Sequence, residues 1–194
     1  PALSPDGRYL VFASNRPLQA EGARRGDFDL WRVDRLPAGG WSAARHLGAV
    51  NGPASETNSS IAADGTLYFA VSRAQGQRDL MRARAAQDGY AVPEPLPAPI
   101  NSNADESNHW IAPDQSYLLF LSNRPGGIGE NDLYISFRDG DGWHAPRNLG
   151  APVNRPGASG VFTPFVDAKG RQLYFAERRS ALDPLPERAL DAAG

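Results

Sequence analysis

The sequence predicts an all-β chain, a β-propeller built of four-stranded antiparallel blades, with about three and a half blades visible in 194 residues. Three observations predict it. The chain repeats itself: SPDGRYLVFASNR (Ser4–Arg16), AADGTLYFAVSR (Ala62–Arg73), APDQSYLLFLSNR (Ala112–Arg124) and DAKGRQLYFAERR (Asp167–Arg179) align with a period of about 50 to 58 residues. Three copies then share landmarks in one order, from Asp29-Leu30-Trp31, Asp79-Leu80-Met81 and Asp132-Leu133-Tyr134 through Gly40-Trp41, Gly89-Tyr90 and Gly142-Trp143 to Val50-Asn51, Ile100-Asn101 and Val153-Asn154. Glycine (20) and proline (17) are abundant while long 3.6-residue apolar periods are missing, which favours strands joined by many turns over helices.

The elements follow in order within each copy. A short apolar run enters a Pro/Ala-Asp-Gly turn and a second run rich in Tyr, Leu, Val and Phe leaves it, which reads as a hairpin because Asp and Gly tolerate turn dihedrals and bulky residues suit the pleats. A polar loop leads to a third strand that opens Asp-Leu-aromatic, with Met81 replacing the aromatic residue in the second copy. The Gly-Trp turn leads to a fourth strand ending near Leu47-Gly48, Leu96-Pro97 or Leu149-Gly150. One such meander buries too little apolar surface to offset the entropy of ordering it, whereas meanders stacked around an axis cover one another's faces.

The predicted organisation is a single propeller unit over residues 1–180: a partial blade at 1–50, blades at 56–100 and 105–153, and a partial blade at 160–179. Residues 181–194 form a tail that matches no landmark. Copy one lacks most of its first strand and the chain starts at Pro1 in mid-pattern, so further blades or a signal peptide are expected upstream.

Composition removes several function classes. A formal net charge of −2, with the four tryptophans outside any Lys/Arg cluster, gives no footprint for nucleic acid. Cysteine is absent, so disulfides, thiolate nucleophiles and Cys-type zinc sites are excluded. The longest apolar runs, Tyr9–Ala13 and Tyr117–Leu121, are strand-sized, and no membrane span is expected.

Among the motifs, LSNRPGGIGENDLY (Leu121–Tyr134) has the glycines of a phosphate cradle, but Asp132 stands where a third glycine would be needed, no lysine follows, and the next element is a strand. It reads as the loop between second and third strands. Asp139-Gly140-Asp141-Gly142 and Asn101-x-Asn103-x-Asp105 resemble the start of a calcium loop without its glycine at position six and glutamate at position twelve. His46, His109 and His144 are scattered over three copies, outside metal-ligand spacing, and no metal or cofactor is assigned. Arg16, Arg73, Arg124 and Arg179 each fall four residues after a strand phenylalanine. Their recurrence argues for a structural task, and pairing with Asp29, Asp79 or Asp132 at the head of the third strand is expected.

The string SPDGRYLVFASNRP followed by DLWRVD resembles the WD40-like β-propeller repeat of bacterial envelope proteins, the type found in TolB-like propellers. The resemblance covers nearly the whole chain; the second copy departs from it with Ala63 for proline and Val71-Ser72-Arg73 for Ser-Asn-Arg. It implies that first strands line a central channel. Counting eight residues back from Asp64 and Asp114 gives Glu56 and Glu106 at equivalent points of entry to that channel, with Val161 in the fourth copy. Glu56, Glu106, His109 and its neighbour Trp110 are therefore the ligand-binding candidates, strand capping being the alternative for the glutamates. No catalytic residue is assigned, since no G-x-S-x-G elbow occurs.

The resemblance implies a non-catalytic binding or scaffold propeller, exported to the periplasm or cell envelope, that recognises a protein or glycan of the envelope by its loops or channel mouth. Two alternatives are a channel-sited hydrolase acting on a glycan or lactone, with Glu56, Glu106 and His109 as its residues, and the accessory propeller of a prolyl-oligopeptidase-type peptidase.

Overall fold

A computed structural model describes residues 1–178 except 20, 74–75, 88 and 158–159. Among these residues there are only strands, turns and bends, arranged as three antiparallel four-stranded blades and a fourth two-stranded hairpin. Arg179 and the tail lie outside the described residues.

The first blade runs β1 (Ala2–Leu3), β2 (Tyr9–Ser14), β3 (Asp29–Asp34) and β4 (Arg45–His46), hydrogen-bonded in that order. The second has β5 (Glu56–Ile61), β6 (Leu67–Ser72) and β7 (Arg78–Ala83), a small hairpin of β8 (Ala85–Ala86) and β9 (Gly89–Tyr90), then β10 (Glu94–Pro95) paired to β7. The third comprises β11 (Glu106–Ile111), β12 (Tyr117–Ser122) and β13 (Asp132–Asp139), with β14 (Gly142–Trp143) and β15 (Arg147–Asn148) both on β13. The fourth is β16 (Gly160–Val166) with β17 (Leu173–Arg178).

Fourth strands are only two residues long, and what completes their pairing is a side chain. Asn51, Asn101 and Asn154 each present an amide to the third strand as a peptide group would. Leu30 N–H donates to Asn51 Oδ1 (2.7 Å) while Asn51 Nδ2 donates to Leu30 O (3.0 Å). The same two bonds join Asn101 to Leu80 (2.9 and 2.9 Å) and Asn154 to Leu133 (2.8 and 2.9 Å). A buried strand segment must satisfy every N–H and C=O, and here one asparagine per blade satisfies the N–H and shares the C=O with the backbone N–H of Leu47, Leu96 or Leu149.

The core lies between blades. Val11, Leu30, Leu67 and Phe69 pack blade one on blade two; Tyr68, Leu80, Ile111 and Phe120 pack two on three; Leu119, Leu133, Val161 and Val166 pack three on four. Phe69, Tyr68 and Phe120 are fully buried, each contributing about 1.5–3 kcal/mol of hydrophobic stabilisation. Alternate residues of each second strand serve opposite seams, as the two-residue period of a strand requires.

Candidate functional site

First strands lie side by side, β1 next to β5, β5 next to β11 and β11 next to β16. Each of the three longer ones carries a bulge at the same point, between Thr57 and Ser60, Ser107 and Trp110, and Phe162 and Phe165. At the bulge Asn58, Asn108 and Thr163 adopt φ of 49°, 42° and 49°. Asparagine tolerates this left-handed region; for β-branched threonine it is strained by about 1–3 kcal/mol. The bulges turn polar side chains toward the axis, where Asn58 Nδ2 donates to Asn108 Oδ1 across neighbouring blades (3.0 Å).

These residues line a cleft of ≈ 410 Å³ whose walls also include Leu3, Ser59, His109, Trp110 and Phe165. Trp110 stands between Tyr117 (centroids 5.6 Å apart) and Phe165 (6.5 Å, edge to face), and Phe165 is exposed. The surface thus combines amides and hydroxyls with an aromatic wall. His109 borders it, but its side chain is buried in the seam with blade two, and burial lowers its pKa to about 4 against the opposing effect of the Tyr68 backbone. Ser59 occupies the same position one blade earlier and donates to Val11 O (3.3 Å), the counterpart of Tyr68. His109 therefore reads as a neutral inter-blade residue.

Glu56 and Glu106 head β5 and β11 at equivalent places, yet neither lines the cleft and both are buried. Glu106 is fully occupied within its own neighbourhood: it accepts from Ser102 N–H (3.0 Å), Ser102 Oγ (2.6 Å), Ser122 Oγ (3.0 Å) and the Arg124 guanidinium (3.2 Å). Glu56 accepts only Gly52 N–H (3.1 Å), and its Oε2 has no partner. Burial, with Asp29 and Asp27 adding repulsion, raises the Glu56 pKa from 4.5 to about 7, against the Gly52 hydrogen bond and the pull of Arg25.

The recurrent arginines divide in a way their spacing did not foretell. Arg124 stacks on Phe120 and Tyr134 (5.0 and 5.1 Å), its Nε donates to Ser122 Oγ (3.1 Å), and it reaches Glu106, Pro99 O and Ile100 O, not Asp132. Arg16 takes the same pose over Phe12 and Trp31 with Nε on Ser14 Oγ, while Asp29 is met by His46 (3.0 Å) and Arg25 (2.9 Å). Asp132 accepts from Asn148 Nδ2 (2.8 Å) and from Ile128 and Gly129 N–H, which fastens the glycine-rich loop. A Cβ at Gly127 would lie 2.7 Å from Asp132 Oδ2, so the glycine there permits that closure. The expected arginine–aspartate pair forms in blade two, Arg73 to Asp79 at 3.5 Å.

Three substitutions explain the exception. Met81 replaces the ring that Trp31 and Tyr134 supply, Val71 replaces the hydroxyl of Ser14 and Ser122, and Pro95 stands where His46 and Asn148 reach the aspartate. Arg73 thus loses its stacking partner and its guide, Asp79 loses its fourth-strand partner, and the two come together; the arginine also donates to Ser102 O and Ala104 O in the approach to blade three. Two of the three residues of the calcium-like stretch are likewise engaged, Asn101 with Leu80 and Leu96, Asp105 with Arg78. Asp139 and Gly142 form the tight β13–β14 connection.

Sequence reasoning placed His109 and Trp110 beside the cleft but missed Asn58, Asn108, Thr163 and Phe165. The recurrence Glu-x-Asn in Glu56-Thr57-Asn58 and Glu106-Ser107-Asn108 was the available signal. No protein-family profile and no curated protein matches the chain. Among solved structures it is similar to a TolB-type protein from Agrobacterium tumefaciens, with 20% identity and a TM-score of 0.58 over 92% of this chain and 58% of that one. It is also similar to TolB from Acinetobacter baumannii, with 12% identity and a TM-score of 0.52 over 92% of this chain and 42% of the other. The chain spans roughly half the length of these structures, and at such identities the likeness is one of fold: an antiparallel β-propeller.

Proposed function

We propose that this chain is a non-catalytic binding unit of an exported bacterial envelope protein, holding an extended protein segment or a glycan strand in its axial cleft. One observation carries the reading: the cleft pairs amide donors and acceptors on left-handed bulges with the Trp110–Phe165 wall, and its sole titratable side chain among the described residues is the buried His109. Amides and aromatic faces suit the repeating polar and apolar groups of a peptide or sugar chain, and the strain held at Thr163 is that of a preorganised surface. Hydrolysis would require a free acid and base near the ligand. Glu106 is committed to Ser102, Ser122 and Arg124, and Glu56 does not reach the cleft.

Binding to arrays of envelope peptides and glycans tests this. Trp110→Ala and Asn108→Gly, the latter keeping the bulge conformation open, should each weaken capture by about tenfold. Undiminished binding in both would remove the cleft from consideration, and turnover abolished by His109→Ala would replace binding by catalysis. Fractionation of the native producer should find the protein in the periplasm or envelope.

A further inference from the structure

We propose that Glu56 is a buried proton-binding site whose charge sets how tightly blade one holds blade two. Blade three shows what an ionised carboxylate at this position receives: two serine hydroxyls, a backbone N–H and a guanidinium. Blade two retains only the N–H. Gly52 stands in place of Ser102, Val71 in place of Ser122, and Arg73 has turned to Asp79 and the carbonyls of Ser102 and Ala104.

The remaining surroundings favour the neutral form. From β3 and the loop before it come Asp29, Asp27 and Arg25, but Arg25 is divided between the two aspartates, with Nε 3.1 Å from Asp27 Oδ1 and 2.9 Å from Asp29 Oδ2. From β4 His46 is bound to Asp29; β6 presents uncharged Val71, and β2, which also packs on β5, carries no charged side chain. Asp29 Oδ1 is itself buried without a partner, so a second uncompensated oxygen faces the same seam. A carboxylate with one hydrogen bond in such a place takes up a proton far more readily than one in water.

The proton matters to the seam because Glu56 belongs to it at two points. Its N–H donates to Phe28 O (2.8 Å) and its Oε1 holds the Gly52 N–H, closing the connection from blade one. Beyond Glu56 the same strand carries Ser59, bonded to Val11 O, and Asn58, bonded to Asn108, into the axial cleft. Ionising Glu56 places a charge between blades that one N–H and the shared pull of Arg25 stabilise incompletely, and the seam loosens.

Two measurements on the intact chain decide the matter. Carboxyl NMR should give Glu56 a titration midpoint near neutrality, and amide exchange at residues 52 and 56 should accelerate through that midpoint by more than base catalysis of exchange accounts for, an excess absent from Glu56→Gln. Restoring the hydroxyls of blade three by Gly52→Ser with Val71→Ser should lower the midpoint by about 1–3 units; a Cβ at residue 52 would sit 3.5 Å from Glu56 Oε1, within ordinary contact. A wild-type midpoint in the range of an exposed glutamate, or seam exchange with the same pH response in Glu56→Gln, overturns the proposal. An unchanged midpoint in the folded double-serine variant does so as well.

Discussion

Arg124→Ala is the perturbation that most directly weighs the blade-three cluster. The side chain is 15% exposed and the Glu106 carboxylate beneath it 0%, so its loss leaves a buried charge held only by Ser102 and Ser122. Breaking such a pair from one side costs about 3–5 kcal/mol, and the partial exposure of the arginine puts the expectation near the lower end, about 3 kcal/mol. The carbonyls of Pro99 and Ile100 lose their donor at the same time but can turn to water, adding little. For a domain of this size that corresponds to a fall of roughly 6–12 °C in Tm. Urea unfolding near neutral pH would measure it, with Arg73→Ala, whose ion pair is partly exposed on both sides (32% and 27%), expected to cost about 1 kcal/mol or less. Glu106→Gln in the Arg124→Ala background should recover part of the loss, because the uncompensated charge is gone. If Arg124→Ala costs no more than Arg73→Ala, or the double variant is no more stable than the single one, Glu106 is not the reason the arginine is there.

Three further outcomes are expected. Asn101→Ala leaves the N–H of buried Leu80 without its partner, while Leu80 O keeps the Leu96 N–H, and should cost about 1–3 kcal/mol by the same unfolding measurement, whereas an exposed asparagine would cost almost nothing. Thr163→Gly relieves a threonine at φ 49° and should be neutral or stabilising by up to about 1 kcal/mol despite glycine's entropy; a clear loss would mean that the hydroxyl or methyl contributes more than the strain. His109 has a folded pKa near 4 against 6.5 unfolded, so the native state binds fewer protons in between. Its contribution is complete above 6.5 and lost as pH falls toward 4, and His109→Asn should flatten that acid limb of a stability–pH curve. Glu56 acts in the opposite sense, its raised value making stability fall as pH rises from 4.5 to about 7, so each group is visible only against its own variant.

The fold was legible because repetition reports position. Four aligned hairpins, two of them turning at Asp-Gly, and an ordered set of landmarks locate strands regardless of partner, and Asn51, Asn101 and Asn154 recur since each third strand needs the same two hydrogen bonds. Partnership is another matter. The arginine four residues beyond the phenylalanine is the same letter in every copy, yet it serves Glu106 in one blade and Asp79 in the next, decided by Val71, Met81 and Pro95 on three different strands. No single copy contains that information; it appears only when substitutions are compared across strands brought together by folding. The cleft was hidden for a related reason, since a bulge moves Asn58 and Asn108 onto the axis without any glycine or proline to mark it.

The asparagine that completes blade one has a chemical future of its own. Asn51-Gly52 is the dipeptide in which side-chain amide loss is fastest in an open chain, because the glycine N–H can attack the neighbouring amide carbon unhindered. Here both reacting groups are held apart from each other: the amide bonds to Leu30 and the Gly52 N–H points to Glu56. The reaction therefore waits for the seam to open, and each completed event leaves an aspartate or isoaspartate that can no longer donate to Leu30 O. The amount of product in an aged sample becomes a cumulative record of how often the connection from blade one to blade two has opened.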